Sequence, residues 1–185
     1  MALEHDLATL IAGDALRMAA LEAARALGLP DAWIGAGFVR DAVWDHLHGL
    51  PPQVPVGDVD LLWFDPARTD PSEDKALEQR LRAMALPFDW SARNQARMHV
   101  RNGDRPYRDV ADAMTFWPET ATMVAVRLTD AGEVRVNAPL GLADLFAPRL
   151  SPSAHFRTDR RPIFDARVAD KDWLTRYPRL RLDPP

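Results

Sequence analysis

GAGFVRD, Gly35 to Asp41, followed by VPVGDVDLLWFD, Val54 to Asp65, decides how this chain is read. The first segment is a glycine turn that opens a helix. Such a turn presents free backbone N–H groups and the positive helix end to an anion, as a phosphate requires. The second segment reads as a strand in which Asp58 and Asp60 stand two residues apart. Both carboxylates therefore leave the same face, roughly 7 Å apart along the pleat, and one face with two acids can hold a divalent metal. Acids on a strand can also ward off edge pairing. The run VDLLWFD is otherwise apolar and reads as interior, where an unpaired charge is costly without a counter-ion.

Outward from this centre, apolar positions at helical spacing predict one long amphipathic helix from about Leu3 to Leu27, ended by Gly28 and Pro30. Trp33 and Ile34 start a short strand that meets the glycine turn, and Val39 to Leu47 form the next helix. Asp41 falls in its first turn, where the helix dipole favours an acid and a capping role is expected. A charged helix is expected from about Glu73 to Ala85, a strand from Phe88 to Val100, and a turn at Asn102-Gly103-Asp104. A short helix from Val110 to Trp117 precedes a hairpin, Thr120 to Leu128 with Glu133 to Asn137. The remainder, interrupted by Pro148, Pro152, Pro162 and Pro178, reads as irregular apart from a short helix from Phe164 to Leu174. This order of elements implies an α+β fold, a mixed sheet with helices packed mainly on one side.

The segments GAGFVRDAVWDHLHG and GDVDLLWFD resemble the nucleotidyltransferase fold of the DNA polymerase β superfamily, in particular its small bacterial nucleotidyltransferase-like family. WSARNQARMH, DAMTFWPETATMVAVRL and APLGLADLF are also similar to that family, so the resemblance runs from about Trp33 to Phe146. It implies magnesium- or manganese-dependent transfer of a nucleoside monophosphate from a nucleoside triphosphate such as ATP to an acceptor. Asp58 and Asp60 would hold metal, while Gly35, Ala36, Gly37 and Arg40 would hold phosphates. Arg40 has a second option, an internal ion pair with Asp41 or another acid. The tRNA-terminal and poly(A) branches carry two glycines before an aliphatic residue, Arg and Asp; here Ala36 and Gly37 occupy those places. The pattern also asks for a third carboxylate on another strand. Asp89 is the first choice, because a strand from Phe88 would put Asp89, Ser91 and Arg93 on one face and Trp90 and Asn94 on the other. Asn94, as an amide ligand, and Glu119 are the other addresses.

An alternative from another class is a non-catalytic nucleotide-binding module with an incomplete metal triad. The DVDLL run also resembles the metal-binding acids of haloacid-type phosphatases, but those end a buried first strand, whereas Pro55 and Gly57 precede the pair here. His46 and His48, at i and i+2, diverge and make no zinc pair. The tryptophans read as core, although one near the glycine turn could stack on a base.

Composition narrows the rest. The 185 residues are 47% hydrophobic, enough for one core-bearing domain, expected over residues 1–148. No run is long and apolar enough for a membrane span and no leader is evident, so a cytoplasmic location is expected. The absence of cysteine removes disulfides and thiolate metal sites. Residues 1–148 carry 14 Lys or Arg against 22 Asp or Glu, and residues 149–185 nine against five. The basic, proline-rich C-terminal segment is expected to dock on the acidic body, with contact to RNA or a phosphorylated partner as the other reading. The acceptor is open among small molecules, proteins and RNA; DNA and membranes are not expected. Terminal extension of tRNA is disfavoured, since nothing after Phe146 reads as a helical RNA-binding domain.

Overall fold

The computed structural model describes residues 2–184. The expected N-terminal helix is two helices, α1 (Ala2–Ala12) and α2 (Ala15–Arg25). The break has a local cause: Gly13 leaves the first helix, and the Asp14 carboxylate caps the second by accepting from the backbone N–H groups of Leu16 and Arg17. Strand β1 (Trp33–Gly35), helix α3 (Gly37–Leu47) and strand β2 (Asp58–Trp63) follow as the sequence predicts. Helix α4 (Pro71–Arg82) starts at an Asp70 cap with proline in its first turn.

Strand β3 (Asp89–Asn94) is half as long as the expected strand, because the chain turns directly into helix α5 (Gln95–Asn102). Asn94 makes that turn. Its fully buried amide accepts from the N–H groups of Ala96 and Asp65 and donates to the carbonyls of Asp65 and Arg68. Gly103, at φ +69°, then terminates the helix rather than a hairpin. Helix α6 (Val110–Met114) leads to a single 3₁₀ turn over Thr120–Thr122, and strands β4 (Ala125–Leu128) and β5 (Val134–Asn137) form the expected hairpin.

The sheet order is β3-β2-β1-β4-β5, parallel only between β2 and β3. Alternation divides its side chains between two faces. One face, with Ile34, Val59, Leu61, Trp63, Trp90, Ala92 and Val126, lies in the main core beneath the first four helices. The other carries Asp58, Asp60, Asp89, Ser91 and Arg93; a smaller cluster of Trp33, Leu62, Ala125, Val110, Met114 and Met123 covers part of it. This is the mixed α+β sheet with helices mainly on one side.

The segment after Arg149 is more ordered than its prolines suggest. Helix α7 (Ala143–Phe146) precedes a two-stranded parallel pair, β6 (Arg149–Leu150) with β7 (Arg181–Leu182), and helices α8 (Arg161–Asp170) and α9 (Trp173–Arg176) lie between the two strands. Phe164, Val168, Trp173 and Tyr177 join the main core. The Tyr177 hydroxyl donates to Asp45 over 2.8 Å, and Arg176 reaches the same carboxylate at 3.2 Å. Burial and the neighbouring Asp41 and Asp45 charges push the Tyr177 phenol far up, so it remains a donor at every physiological pH. No described helix is long and apolar enough to cross a membrane.

Candidate active site

The register across the three central strands builds the site. Gly35 pairs with Asp60 on one side and with Ala125 on the other. This row offers one carboxylate, one hydrogen and one methyl, which leaves open space above the sheet beside Asp60. Gly35 is needed for close packing: a β-carbon there would lie 2.8 Å from Leu62 Cδ1 and 3.2 Å from the Val124 carbonyl oxygen. Its contribution is to bring β2 and β4 together under the turn.

Ala36 links β1 to α3 at φ 54°, ψ −128°, a conformation that L side chains rarely adopt. Its N–H donates to the Val124 carbonyl, and its own carbonyl accepts from Val39 and Arg40. No side chain caps α3, and the N–H groups of Gly37 and Phe38 have no protein acceptor among the described residues. The departure from two glycines therefore stores strain where the family pattern avoids it. Ala36→Gly should raise stability by up to about 1 kcal/mol, read as a higher melting temperature. A lower one would show that the alanine methyl, which faces the site, contributes more than the strain costs.

Arg40 takes the second of its two options. Its guanidinium is buried, pairs with Asp41 at 2.6 Å, donates to Thr122 Oγ1 and lies over the rings of Trp44 and Trp173 at 5.1 and 4.4 Å. Asp41 is thus the partner of Arg40 and not a helix cap. Gly37 has room around it, since an added β-carbon would meet only the ends of the Arg40 and Asp41 side chains at 3.4 and 3.7 Å. Both rings of the histidine pair lie away from the site, and His48 is engaged by Trp44 and Arg179.

A cleft of about 250 Å³ opens over this face, lined by Ala36, Asp60, Thr122, Arg93 and Arg167 together with the apolar Leu62, Met98 and Trp117. Asp60 is partly buried, and its carboxyl is pushed up to about 6, first by burial and then by the Asp58 charge; Arg167, Arg93 and Lys171 oppose the shift. Asp58 is exposed at the start of β2, with Asp89 in register beside it on β3, also exposed. Asp89 shares the face of the pair, as the alternation predicts, but of the three acids Asp60 alone is among the cleft-lining residues. Asn94 is committed to the β3–α5 turn and has no free coordinating atom.

Glu119 is the third address that the cleft contains. It is fully buried, fixed by backbone pairing of its neighbours Pro118 and Thr120 with Ser153 and Ser151, and one of its oxygens accepts from Arg167 Nε at 2.7 Å. Its Oε2 has no hydrogen-bond partner among the described residues. Arg93 and Arg167 did not emerge from the sequence. Arginine occurs throughout the chain, and the one signal available for Arg93 was its place on the Asp89 face.

No curated protein matches the sequence. Among solved structures, an NMR structure described as a CCA-adding enzyme head domain is similar over 98% of this chain and 96% of its own, with a TM-score of 0.86 and 29% identity. The Thermotoga maritima CCA-adding enzyme complexed with tRNA is similar over 90% of this chain and 38% of its own, with a TM-score of 0.53 and 13% identity. The Bacillus stearothermophilus CCA-adding enzyme in complex with CTP is similar over 90% and 40%, with a TM-score of 0.50 and 16% identity. The chain spans about two-fifths of those two enzymes, and the likeness to them is one of fold. A nucleotidyltransferase family model matches residues 22–182, through the C-terminal helices and well beyond Phe146. With that match over most of its length and the acid-bearing strand beside the glycine turn, the chain belongs to this nucleotidyltransferase family.

Proposed function

We propose that the protein is a magnesium-dependent nucleotidyltransferase that moves a nucleoside monophosphate from a nucleoside triphosphate to an acceptor. The observation that carries this reading is Asp60, a partly buried carboxylate set in a cleft beside the uncapped start of α3. Asp58 leaves the same face of β2. Among the described residues no three acids or histidines cluster to enclose a metal by themselves. Two carboxylates with hard oxygen donors nevertheless suit magnesium, which takes its remaining ligands from water and substrate phosphates. The orphaned Oε2 of Glu119 in the same cleft is a further oxygen donor. Asp58 and Asp60 would hold such a metal, which would supply charge neutralisation for the oxygens of a displacement.

The protein's own groups do the rest. The free N–H groups of Gly37 and Phe38 receive phosphate oxygens at the helix end. Leu62, Met98 and Trp117 exclude water and offer an apolar surface to a base or an acceptor. Arg40 acts from behind, holding the first turn of α3 through Asp41 and Thr122. The acceptor is a small molecule, a protein or RNA. Relatives in complex with tRNA and CTP make an RNA acceptor worth including, although they are more than twice as long as this chain.

One observation favours a second reading, a nucleotide-binding module without transfer: β4 carries Ala125 at the row of Asp60, so this strand supplies no third carboxylate. Incubation with α-labelled nucleotide, magnesium and a panel of acceptors separates the two. Transferred label with pyrophosphate release, reduced at least about a hundredfold in Asp58→Asn, is the expected result. Tight binding with neither product across the panel would establish the module instead.

A further inference from the structure

Two arginines flank Asp60, and both are held by one end only. Glu119 fixes Arg167 through Nε, at 2.7 Å. The Nη1 and Nη2 groups of Arg167 have no protein acceptor among the described residues, and its side chain is 37% exposed. Arg93 is held through Nη1 by Glu78 Oε1 at 2.6 Å and by the Ala92 carbonyl at 2.5 Å, while its Nε and Nη2 have no protein acceptor among the described residues. A guanidinium held through one nitrogen keeps further N–H donors in a fixed fork that suits phosphate oxygens. Here each carboxylate orients the arginine and leaves a donor edge for another partner. Both side chains line the Asp60 cleft. Trp173 backs Arg167, with the guanidinium 5.7 Å from its ring. Lys171, just past the end of α8, adds positive charge at Asp60.

We propose that Arg167, delivered by the C-terminal helix α8, and Arg93 together grip the polyphosphate tail of the nucleotide in the Asp60 cleft, so that residues 149–185 complete the binding site. The inference rests on the nucleotide-binding reading given above and assigns this segment a part in it. The excess of basic residues after Arg149 then has two uses. Arg176 binds the acidic body through Asp45, whereas Arg167 faces ligand. Glu119 serves as the anchor that aims the Arg167 fork.

The probe is inorganic tripolyphosphate, titrated calorimetrically without metal into the full chain, with a short single-stranded RNA as a second ligand. Arg167→Lys keeps a cation opposite the buried Glu119 but lacks the planar fork, and Arg93→Gln removes the other donor edge. Each should weaken tripolyphosphate binding about tenfold at unchanged melting temperature, with a larger loss in the double variant. Unchanged affinity in both variants, or no binding of tripolyphosphate by the native chain, overturns the proposal. A loss confined to RNA overturns it in favour of a phosphodiester contact. The test is separable from that of the transfer reaction. If tripolyphosphate binds through Arg167 yet no label is transferred, the phosphate grip stands and the transferase reading falls. If label is transferred and Arg167→Lys alters neither KM nor tripolyphosphate affinity, the reverse holds.

Discussion

Asp60→Asn should abolish nucleotidyl transfer, by about 10³-fold or more, and at the same time raise the melting temperature. The two effects share one cause. Burial and the Asp58 charge push the Asp60 carboxyl from 3.8 up to about 6, so ionising it is harder in the folded chain than in the unfolded one. A group raised in this way favours the folded state fully below pH 3.8, and that advantage is lost as pH climbs through about 6. At pH 7 the native protein carries the whole penalty, on the order of 2–3 kcal/mol, which an uncharged amide of the same shape escapes. For a chain of this size that corresponds to roughly 5–10 °C in melting temperature. Native and variant curves should converge near pH 4, where both side chains are neutral. Metal-dependent nucleotide binding by the native protein should follow the opposite course and weaken as pH falls below about 6. A variant that melts lower than the native chain at pH 7, or that retains transfer, would remove Asp60 from the centre of the site.

The face on which this carboxylate sits was legible in the sequence, because a two-residue period leaves no choice once one strand is placed. Asp58, Asp60 and Asp89 share a face for that reason. The glycine turn was equally plain, since Gly35 and Gly37 bracket the start of a helix. What did not show was any feature decided by a single capping side chain. Asp14 splits one predicted helix into two, and Asn94 converts the second half of a predicted strand into a helix. Periodicity cannot register a cap inside an otherwise continuous pattern. The cleft was hidden for a different reason. Glu119 and Arg167 are 48 residues apart and meet because Pro118 and Thr120 pair with Ser153 and Ser151 across a turn of irregular chain. Glu119 lies outside any regular pattern, and although Arg167 falls within the expected helix, arginine is too frequent here to mark a site. Arg40, open between phosphate and Asp41, pairs with Asp41 beneath the ring of Trp173, a residue more than 130 positions away that no local pattern could bring to it.

Trp173→Ala is expected to cost about 3–5 kcal/mol, the range for deleting a large buried aromatic side chain. The ring is 4% exposed and sits edge-on to Trp44 at 6.0 Å, with Arg40 against one part of it and Arg167 against another. Its loss leaves a cavity where the C-terminal segment meets α3 and removes the aromatic cover from the buried Arg40 guanidinium. The polar clasp beside it would survive, because Tyr177 and Arg176 bind Asp45 independently of the indole. The variant should therefore remain folded at low temperature and lose cooperativity early, with proteolysis after Arg149 preceding loss of the sheet. Denaturant titration gives the free-energy change, and timed digestion shows which segment opens first. A cost below about 1 kcal/mol would mean that residues 149–185 only rest on the body, whereas a loss in the expected range makes the packing of the segment part of the core. In that case the position of Arg167 at the cleft is as secure as the core that carries it.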